Sequence, residues 1–445
     1  MYLTKEFRLL YFKFLREYFY IKRNIYKSIQ YNISIQKERL YRILNHAVQN
    51  VPYYQKIAHE RNIELNKDNI FEDLKQFPIL TKSLLRKNWK LLHIKLKNID
   101  YTINTSGGTT GEPVKFIQSR KYNILNFCSK IIFNEIGDYY PGDKLVKLWG
   151  NEKDILEMTE GKFIAFVNKY FRNIIFLNSF KMSDKDIFRY INEINLKRPK
   201  VILAYVQSIY EVAKFIEYNK IYIHKLRSII TSAGVLTVEV RQFIEKIFNT
   251  NVYNRYGSRE VSVIGSSCNE DSKIHIDMYK KYIEVLDENN TPVKEHKIGN
   301  IIITDLINYT MPLIRYQIGD RGSLDFSQCR CGRGLIRLDN IIGRVVDIFV
   351  NEKGERIDGE YFTHLFYFRD NLKKFQVIQE NINLIRIKLV TINKLKLNES
   401  TVEDITKKIK IVMGQNCNVT FNYFNDIDAS SSGKYRYTIS KIKNN

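Results

Sequence analysis

Thirteen residues, Asn104-Thr-Ser-Gly-Gly-Thr-Thr-Gly-Glu-Pro-Val-Lys-Phe116, hold three glycines, three threonines and a serine. Glycine lets backbone N–H groups close onto an anion, and the hydroxyls add further donors, so such a loop can cradle phosphate. It is not the phosphate loop of the NTPases, which places a lysine straight after its last glycine; here Glu112 follows Gly111. On composition alone the segment is either a phosphate cradle or a glycine-rich hairpin turn.

A second set of side chains suggests metal chemistry. Cys268 and His275 stand in CNEDSKIH, and Cys329 and Cys331 in CRCG. Three thiolates and an imidazole make a closed tetrahedral zinc site, with no open position for chemistry. The spacing is not that of a standard finger, so a reduced cysteine pair in a glycine-rich turn stays open beside zinc. Cys128 and Cys417 read as ordinary buried thiols. Five cysteines spread through a chain expected to be cytosolic argue against a disulfide framework.

These residues need a scaffold. A helical N-terminal region ends near Asn50 to Tyr54, and apolar runs then alternate with amphipathic patterns. VILAYVQSIYEVAKFIEYN reads as a strand followed by a helix, and RSIITSAGV as a strand running into a small-residue turn. A helix opened by Thr237 follows, and VYNRYGS is a short strand ending in glycine. The alternation predicts an α/β fold whose sites gather at strand ends. From about Ile341 short strands surround one helix (Thr401 to Met413), which predicts a small α+β lid.

The chain has 445 residues, enough for two or three domains. No low-complexity tract or fixed-period repeat interrupts it. Lysine and arginine total 71 against 48 acidic residues, a net charge of +23, which favours anionic partners in general without choosing among nucleic acid, acidic lipid and a phosphorylated small molecule. No stretch reaches the roughly 18 apolar residues of a spanning helix, and the start lacks a signal-peptide core. A cytoplasmic protein is expected. The first 27 residues nevertheless interleave nine aromatic rings with lysines and arginines at near-helical spacing. Such a helix either packs its aromatic stripe on the domain or lies on an anionic membrane face, which would place the protein at the inner membrane face.

Six motifs in order, TSGGTTGEP, TSAGV, YGSRE, RYQIGD, IIGRVVDIFVNEKGERIDG and SSSGKYRYTIS, resemble those of the acyl-adenylate-forming enzymes. With HAVQNVPYY near the start, the chain looks most like the phenylacetate–coenzyme A ligase branch and its capsule-polysaccharide-locus relatives. The doubled Gly107-Gly108, and Glu112 where many relatives carry lysine, are departures from the pattern.

The resemblance implies a large multi-subdomain adenylation domain over residues 1–343 and a lid over 344–445, hinged near Asp347. It implies that Ser106, Gly107, Gly108, Thr109, Thr110 and Gly111 hold the ATP phosphates, with Glu260 on magnesium. Tyr256, followed by Gly257, would stack on adenine in a slot kept narrow by Ala233 and Gly234. Asp320 would accept from the ribose hydroxyls, and Arg344 would reach the ribose and phosphate edge. Lys434 would enter from the lid and neutralise charge on the carboxylate and α-phosphate. Similar Cys/His sets in the phenylacetate ligase branch strengthen the zinc reading. The implied reaction joins a carboxylic acid through its adenylate to coenzyme A or an amine, with nucleic acid an unneeded partner. The competing reading is a non-catalytic degenerate ligase whose basic, aromatic N-terminus binds membrane or nucleic acid.

Overall fold

The computed structural model describes residues 5–105, 114–150, 173–342, 347–366, 371–391, 395–427 and 437–442. Ser106, Gly107, Gly108, Thr109, Thr110, Gly111, Arg344 and Lys434 lie outside the described residues. The chain divides into two compact units.

The first unit is built from the N-terminal helices, residues 114–137 and Asn254–Ile342. Its helix Ile29–Asn50 is capped by Ser28, whose side chain accepts from the Tyr31 N–H, and buries Ile29, Asn32, Gln36, Leu40, Ile43, Leu44 and Ala47 along one stripe. It stops at extended Val51, the residue before Pro52. The stripe belongs to an apolar core that also takes Ile264, Ile301, Ile303, Leu313, Tyr316 and Leu338.

All of these but Leu313 come from an antiparallel sheet. Its strands run in the order Lys281–Leu286, Gly299–Asp305, Tyr316–Asp325, Arg337–Ile342, Ile274–Ile276, Ser262–Ser266, and the end of Asn251–Ser258. Helix Arg120–Ile136 sits against it with Tyr122, Cys128, Ser129, Ile132 and Phe133 buried. Tyr101–Thr105 and Lys115–Ser119 pair as an antiparallel hairpin, with Thr105 opposite Lys115. The ends of the glycine-rich segment are thereby held side by side.

In the second unit, strands Ser228–Ser232, Val201–Tyr205, Leu145–Trp149 and Ile174–Asn178 are parallel neighbours in that order. Every residue of Val201–Tyr205 is buried, as a parallel strand covered on both faces requires. Helices Asp184–Lys197, Val206–Asn219 and Val238–Phe248 supply apolar cover. The strand-then-helix expectation for residues 201–219 is met, and Thr237 does cap its helix, accepting from the Val240 N–H.

The C-terminal part of this unit has a four-stranded sheet ordered Asn418–Tyr423, Leu384–Thr391, Leu372–Asn381, Thr438–Ser440. Helix Glu399–Met413 buries Ile405, Ile409, Val412 and Met413, and Ile405 shares an apolar cluster with Ile387 and Leu389. The hairpin Ile348–Val350 and Arg356–Asp358 takes Lys181–Met182 as a third strand. Phe180 and Tyr205 sit in the same cluster as Phe349, Tyr361 and Phe362.

Candidate active site

Tyr256 and Asp320 meet although 64 residues separate them: the Tyr256 hydroxyl donates to Asp320 Oδ2 at 2.6 Å. The fold achieves this with two glycines. Gly257 follows Tyr256 where the register shifts against Ser262–Ser266, and an added Cβ would stand 2.6 Å from the Ser262 carbonyl oxygen. Gly319, at φ +98°, turns the backbone just before Asp320. Both side chains are half-buried, so the phenol fixes the carboxylate while leaving the pair open to solvent on one side.

Glu260 lies in the turn between the same two strands and is buried. Its Oε1 accepts from the Tyr316 hydroxyl at 3.1 Å, and its backbone carbonyl from the Tyr122 hydroxyl at 3.3 Å. Gln118 Nε2 donates to the Arg259 carbonyl at 3.2 Å, while Asn104 Nδ2 donates to Gln118 Oε1 at 2.8 Å. The hairpin bracketing the glycine-rich segment is thus tied through Gln118 to the turn that carries Glu260.

A buried charge supports this turn. Asp305 Oδ2 accepts from Lys281 Nζ at 2.8 Å and from the Tyr122 hydroxyl at 2.8 Å. Its Oδ1 takes the N–H groups of Ile307 and Asn308. Lys281 and Asp305 side chains are fully buried, a placement tolerated only when each charge is paired and hydrogen-bonded. Burial, reinforced by the Asp305 charge, pushes the Tyr122 phenol well above its ordinary range, so it stays a donor. Gln118, Tyr122, Lys281, Asp305 and Tyr316 were not singled out from the sequence. Isolated residues of these types carry no periodic or spacing signal; only the assembled sheet makes them neighbours.

Ala233 and Gly234 follow the strand Ser228–Ser232 in the second unit. Ala233 is left-handed at φ +53°, and a Cβ at Gly234 would come 3.1 Å from Val206 Cβ. Gly234 therefore lies close against the first turn of helix Val206–Asn219. Asp347 lies in the C-terminal part, with its N–H on Thr438 Oγ1 at 3.1 Å and its Oδ2 accepting from the Ser440 N–H at 2.9 Å.

The four metal-ligand candidates converge. His275 is central in a three-residue strand, paired with Ser266 on one side and Arg337 on the other. Cys268 Sγ lies 3.7 Å from Cys329 Sγ, and Cys331 Sγ lies 3.4 Å from His275 Nε2. All four ligand atoms fall within 4.8 Å of one another. A tetrahedral zinc would place two thiolate sulfurs about 3.8 Å apart and a sulfur and a nitrogen about 3.5 Å apart. The donor set fits zinc in both chemistry and spacing.

A hydrogen bond from Cys268, helped by His275, holds the Cys331 thiol well below its ordinary value, which favours the thiolate a metal binds. The CRCGRG loop is stitched to the N-terminal helices. Gly334 N–H donates to the Ile25 carbonyl at 2.8 Å, Asn32 Nδ2 donates to the Gly334 carbonyl at 2.7 Å, and a Cβ at Gly334 would overlap the Lys27 carbonyl.

Residues 349–441 match the CapK C-terminal domain family. The chain is 26% identical over 417 residues to Protein CapK of Staphylococcus aureus, covering 92% of this chain and 89% of that protein. It is 25% identical over 332 residues to the phenylacetate–coenzyme A ligase of Thermus thermophilus, covering 71% of each. The structure of 2-hydroxyisobutyryl-CoA ligase with 2-HIB-AMP and CoA superposes with a TM-score of 0.61 at 16% identity, covering 93% of this chain and 90% of that one. The expected α/β fold is thus that of the adenylate-forming ligases, and the chain is a homologue of CapK and of the phenylacetate–coenzyme A ligases.

Proposed function

We propose that this protein is an ATP-dependent, AMP-forming carboxylic acid ligase that passes the acyl group to coenzyme A or to an amine. The observation that carries the reading is the 2.6 Å contact between Tyr256 and Asp320. It joins, at one half-buried place, the two sequence motifs whose resemblance assigns them to adenine and ribose. In the first step a carboxylate oxygen attacks the α-phosphorus and pyrophosphate leaves. In the second a thiol or amine attacks the acyl carbon, AMP departs with the bonding pair, and the nucleophile loses its proton.

Glu260, buried and oriented by Tyr316, is suited to hold the magnesium that neutralises charge on the triphosphate. Asp320 orients the ribose, and the amides and hydroxyls from Ser106 through Gly111 are the donors that the resemblance assigns to the phosphates. The resemblance assigns Lys434 of the lid to charge on the carboxylate and α-phosphate and Arg344, on the hinge side, to the ribose and phosphate edge, with a lid that begins near residue 344 and turns about Asp347 between the two steps. Cys268, His275, Cys329 and Cys331 hold a structural zinc, remote in role from the chemistry because a closed site leaves no ligand position for substrate. The motif resemblance to capsule-locus relatives supports a surface-polysaccharide precursor as the acyl acceptor.

The test is pyrophosphate release from ATP and magnesium over a panel of carboxylic acids, with mass spectrometry of products made with coenzyme A and with amino sugars. Acid-dependent release establishes the ligase. Its complete absence across the panel, with nucleotide still bound, supports the degenerate binder instead.

A further inference from the structure

The helix Lys5–Asn24 presents two chemically different sides. Toward the protein it sets Phe14 and Tyr18 against the core and buries Ile21 and Asn24. Acidic groups along this contact are neutralised. Glu17 pairs with Arg39 at 2.7 Å, and Glu135 of helix Arg120–Ile136 accepts from the Tyr18 hydroxyl at 2.5 Å and pairs with Lys22 at 3.0 Å.

The outer side is different. From Phe12 it exposes Lys13, Arg16, Phe19 and Arg23, a stripe repeating every three or four residues. Phe12 is 67% exposed and Phe19 62%. The adjoining helix continues the surface with Phe127, 56% exposed and stacked on Phe14, and with exposed Lys130. Among residues 12–31 and 120–136 no exposed residue is acidic. Large rings and cations share one outward surface while the carboxylates are turned in and paired.

We propose that this outer face docks the protein onto the anionic phospholipid headgroups of a bilayer. Cations there gain from the negative surface potential, and aromatic rings settle at headgroup depth. The apolar inner side of the helix is already consumed by the protein core, so contact is shallow, reversible and weakened by salt. Among the described residues no helix is long and apolar enough to cross a membrane. Single-stranded nucleic acid would also meet the cations, but its binding draws on a basic groove lined with stacking rings. Here the exposed rings sit on the outer faces of two packed helices, and Phe127 and Phe19 already have ring partners within the protein, Phe14 and Tyr18. The proposal concerns the location of the protein and does not depend on the nucleotide site.

Co-sedimentation of the full chain with vesicles tests it. The wild type should bind vesicles of equimolar phosphatidylcholine and phosphatidylglycerol, and not those of phosphatidylcholine alone. Each cation near such a surface contributes roughly fivefold to partitioning, so Lys13→Gln/Arg16→Gln/Arg23→Gln should lose ~100-fold. Lys185→Gln/Lys200→Gln/Lys220→Gln removes as much charge from exposed positions of the second unit, and should bind as the wild type does. Phe12→Gln/Phe19→Gln should also bind less, at an unchanged Tm; Phe12→Gln alone replaces it if the double variant is unstable. Equal loss in both lysine and arginine sets overturns the proposal, because binding would then be diffuse. So does wild-type binding by the ring variants, absence of any preference for phosphatidylglycerol, or release of vesicles by single-stranded RNA together with loss of RNA binding in the ring variants.

Discussion

The Ser440 backbone N–H donates to Asp347 Oδ2 at 2.9 Å, joining two residues 93 positions apart. With the Asp347 N–H on Thr438 Oγ1, the residue is clipped to the strand Thr438–Ser440 from both its main chain and its side chain. That strand begins four residues after Lys434. Any rotation about Asp347 therefore carries the Thr438–Ser440 strand with it. Asp347→Ala should leave acyl-adenylate formation within a few-fold of wild type and slow the acyl-transfer step about tenfold, the cost of one charge-assisted hydrogen bond. Single-turnover measurement of the two half-reactions checks it; equal slowing of both removes the hinge role.

Asp320 is held by a phenol, so its loss and the loss of its holder should differ. Asp320→Ala should weaken ATP binding by roughly 10- to 100-fold, as expected for an acceptor shared by two hydroxyls. Tyr256→Phe retains the ring and removes the hydroxyl that makes the 2.6 Å contact, and should cost less than about tenfold. Calorimetric titration with ATP separates them, and equal affinity for wild type and Asp320→Ala would refute the ribose assignment.

Glu260 depends on Tyr316 for the orientation of its carboxylate. Tyr316→Phe leaves the apolar packing of a buried ring and removes one donor to a charged acceptor, worth about 1.5 to 3 kcal/mol. Turnover should fall about 10- to 100-fold, with partial recovery as magnesium is raised. Recovery is the informative part, since a purely structural loss would not respond to the ion.

Much of this molecule was legible in its sequence where the signal was local. The strand-to-helix passage at Val201–Asn219 has a fully apolar run followed by a helical period, and the Thr237 cap precedes its helix directly. The convergence of Cys268, His275, Cys329 and Cys331 was foreseen because thiols and an imidazole are chemically distinctive. The Lys281–Asp305 pair and Gln118 were not, since a lysine in a β run reads as a solvated residue until the partner strand covers it. The N-terminal helix offered two uses for its rings, and the structure divides them: Phe14 and Tyr18 face the core, Phe12 and Phe19 the solvent.

Freshly prepared, reduced protein should contain about one zinc per chain, bound through the three cysteines and His275. Chelation should loosen the CRCGRG loop and with it the Ile25 and Asn32 contacts of the N-terminal helices. A loss of ~3 kcal/mol would lower Tm by about 6 to 12 °C for a unit of this size. Cys329→Ser should reproduce the fall and abolish the response to chelator. Metal analysis finding no zinc would end this reading.

Glu17 anchors the N-terminal helix to Arg39, and its acidity makes the anchor dependent on pH. Burial alone would raise its carboxyl, but the Arg39 charge and hydrogen bond outweigh it and leave the pKa below the usual value. A carboxyl depressed by folding stabilises the folded state above its unfolded pKa, near 4.3, and that contribution fades as pH falls through the folded pKa. Glu17→Gln takes away the charge and one of the two oxygens that accept from Arg39, which keeps its bond to the Tyr279 carbonyl at 2.9 Å. At pH 7 the substitution should therefore cost about 1 to 3 kcal/mol, the range for stranding one partner of a partly buried pair. In acid, wild-type Glu17 becomes protonated and approaches the amide in charge, so the difference in Tm between the two proteins should narrow progressively below pH ~4. Melting curves at pH 7 and through the acid range decide it: a difference that stays constant with pH would mean that Glu17 acts by packing and not by its charge.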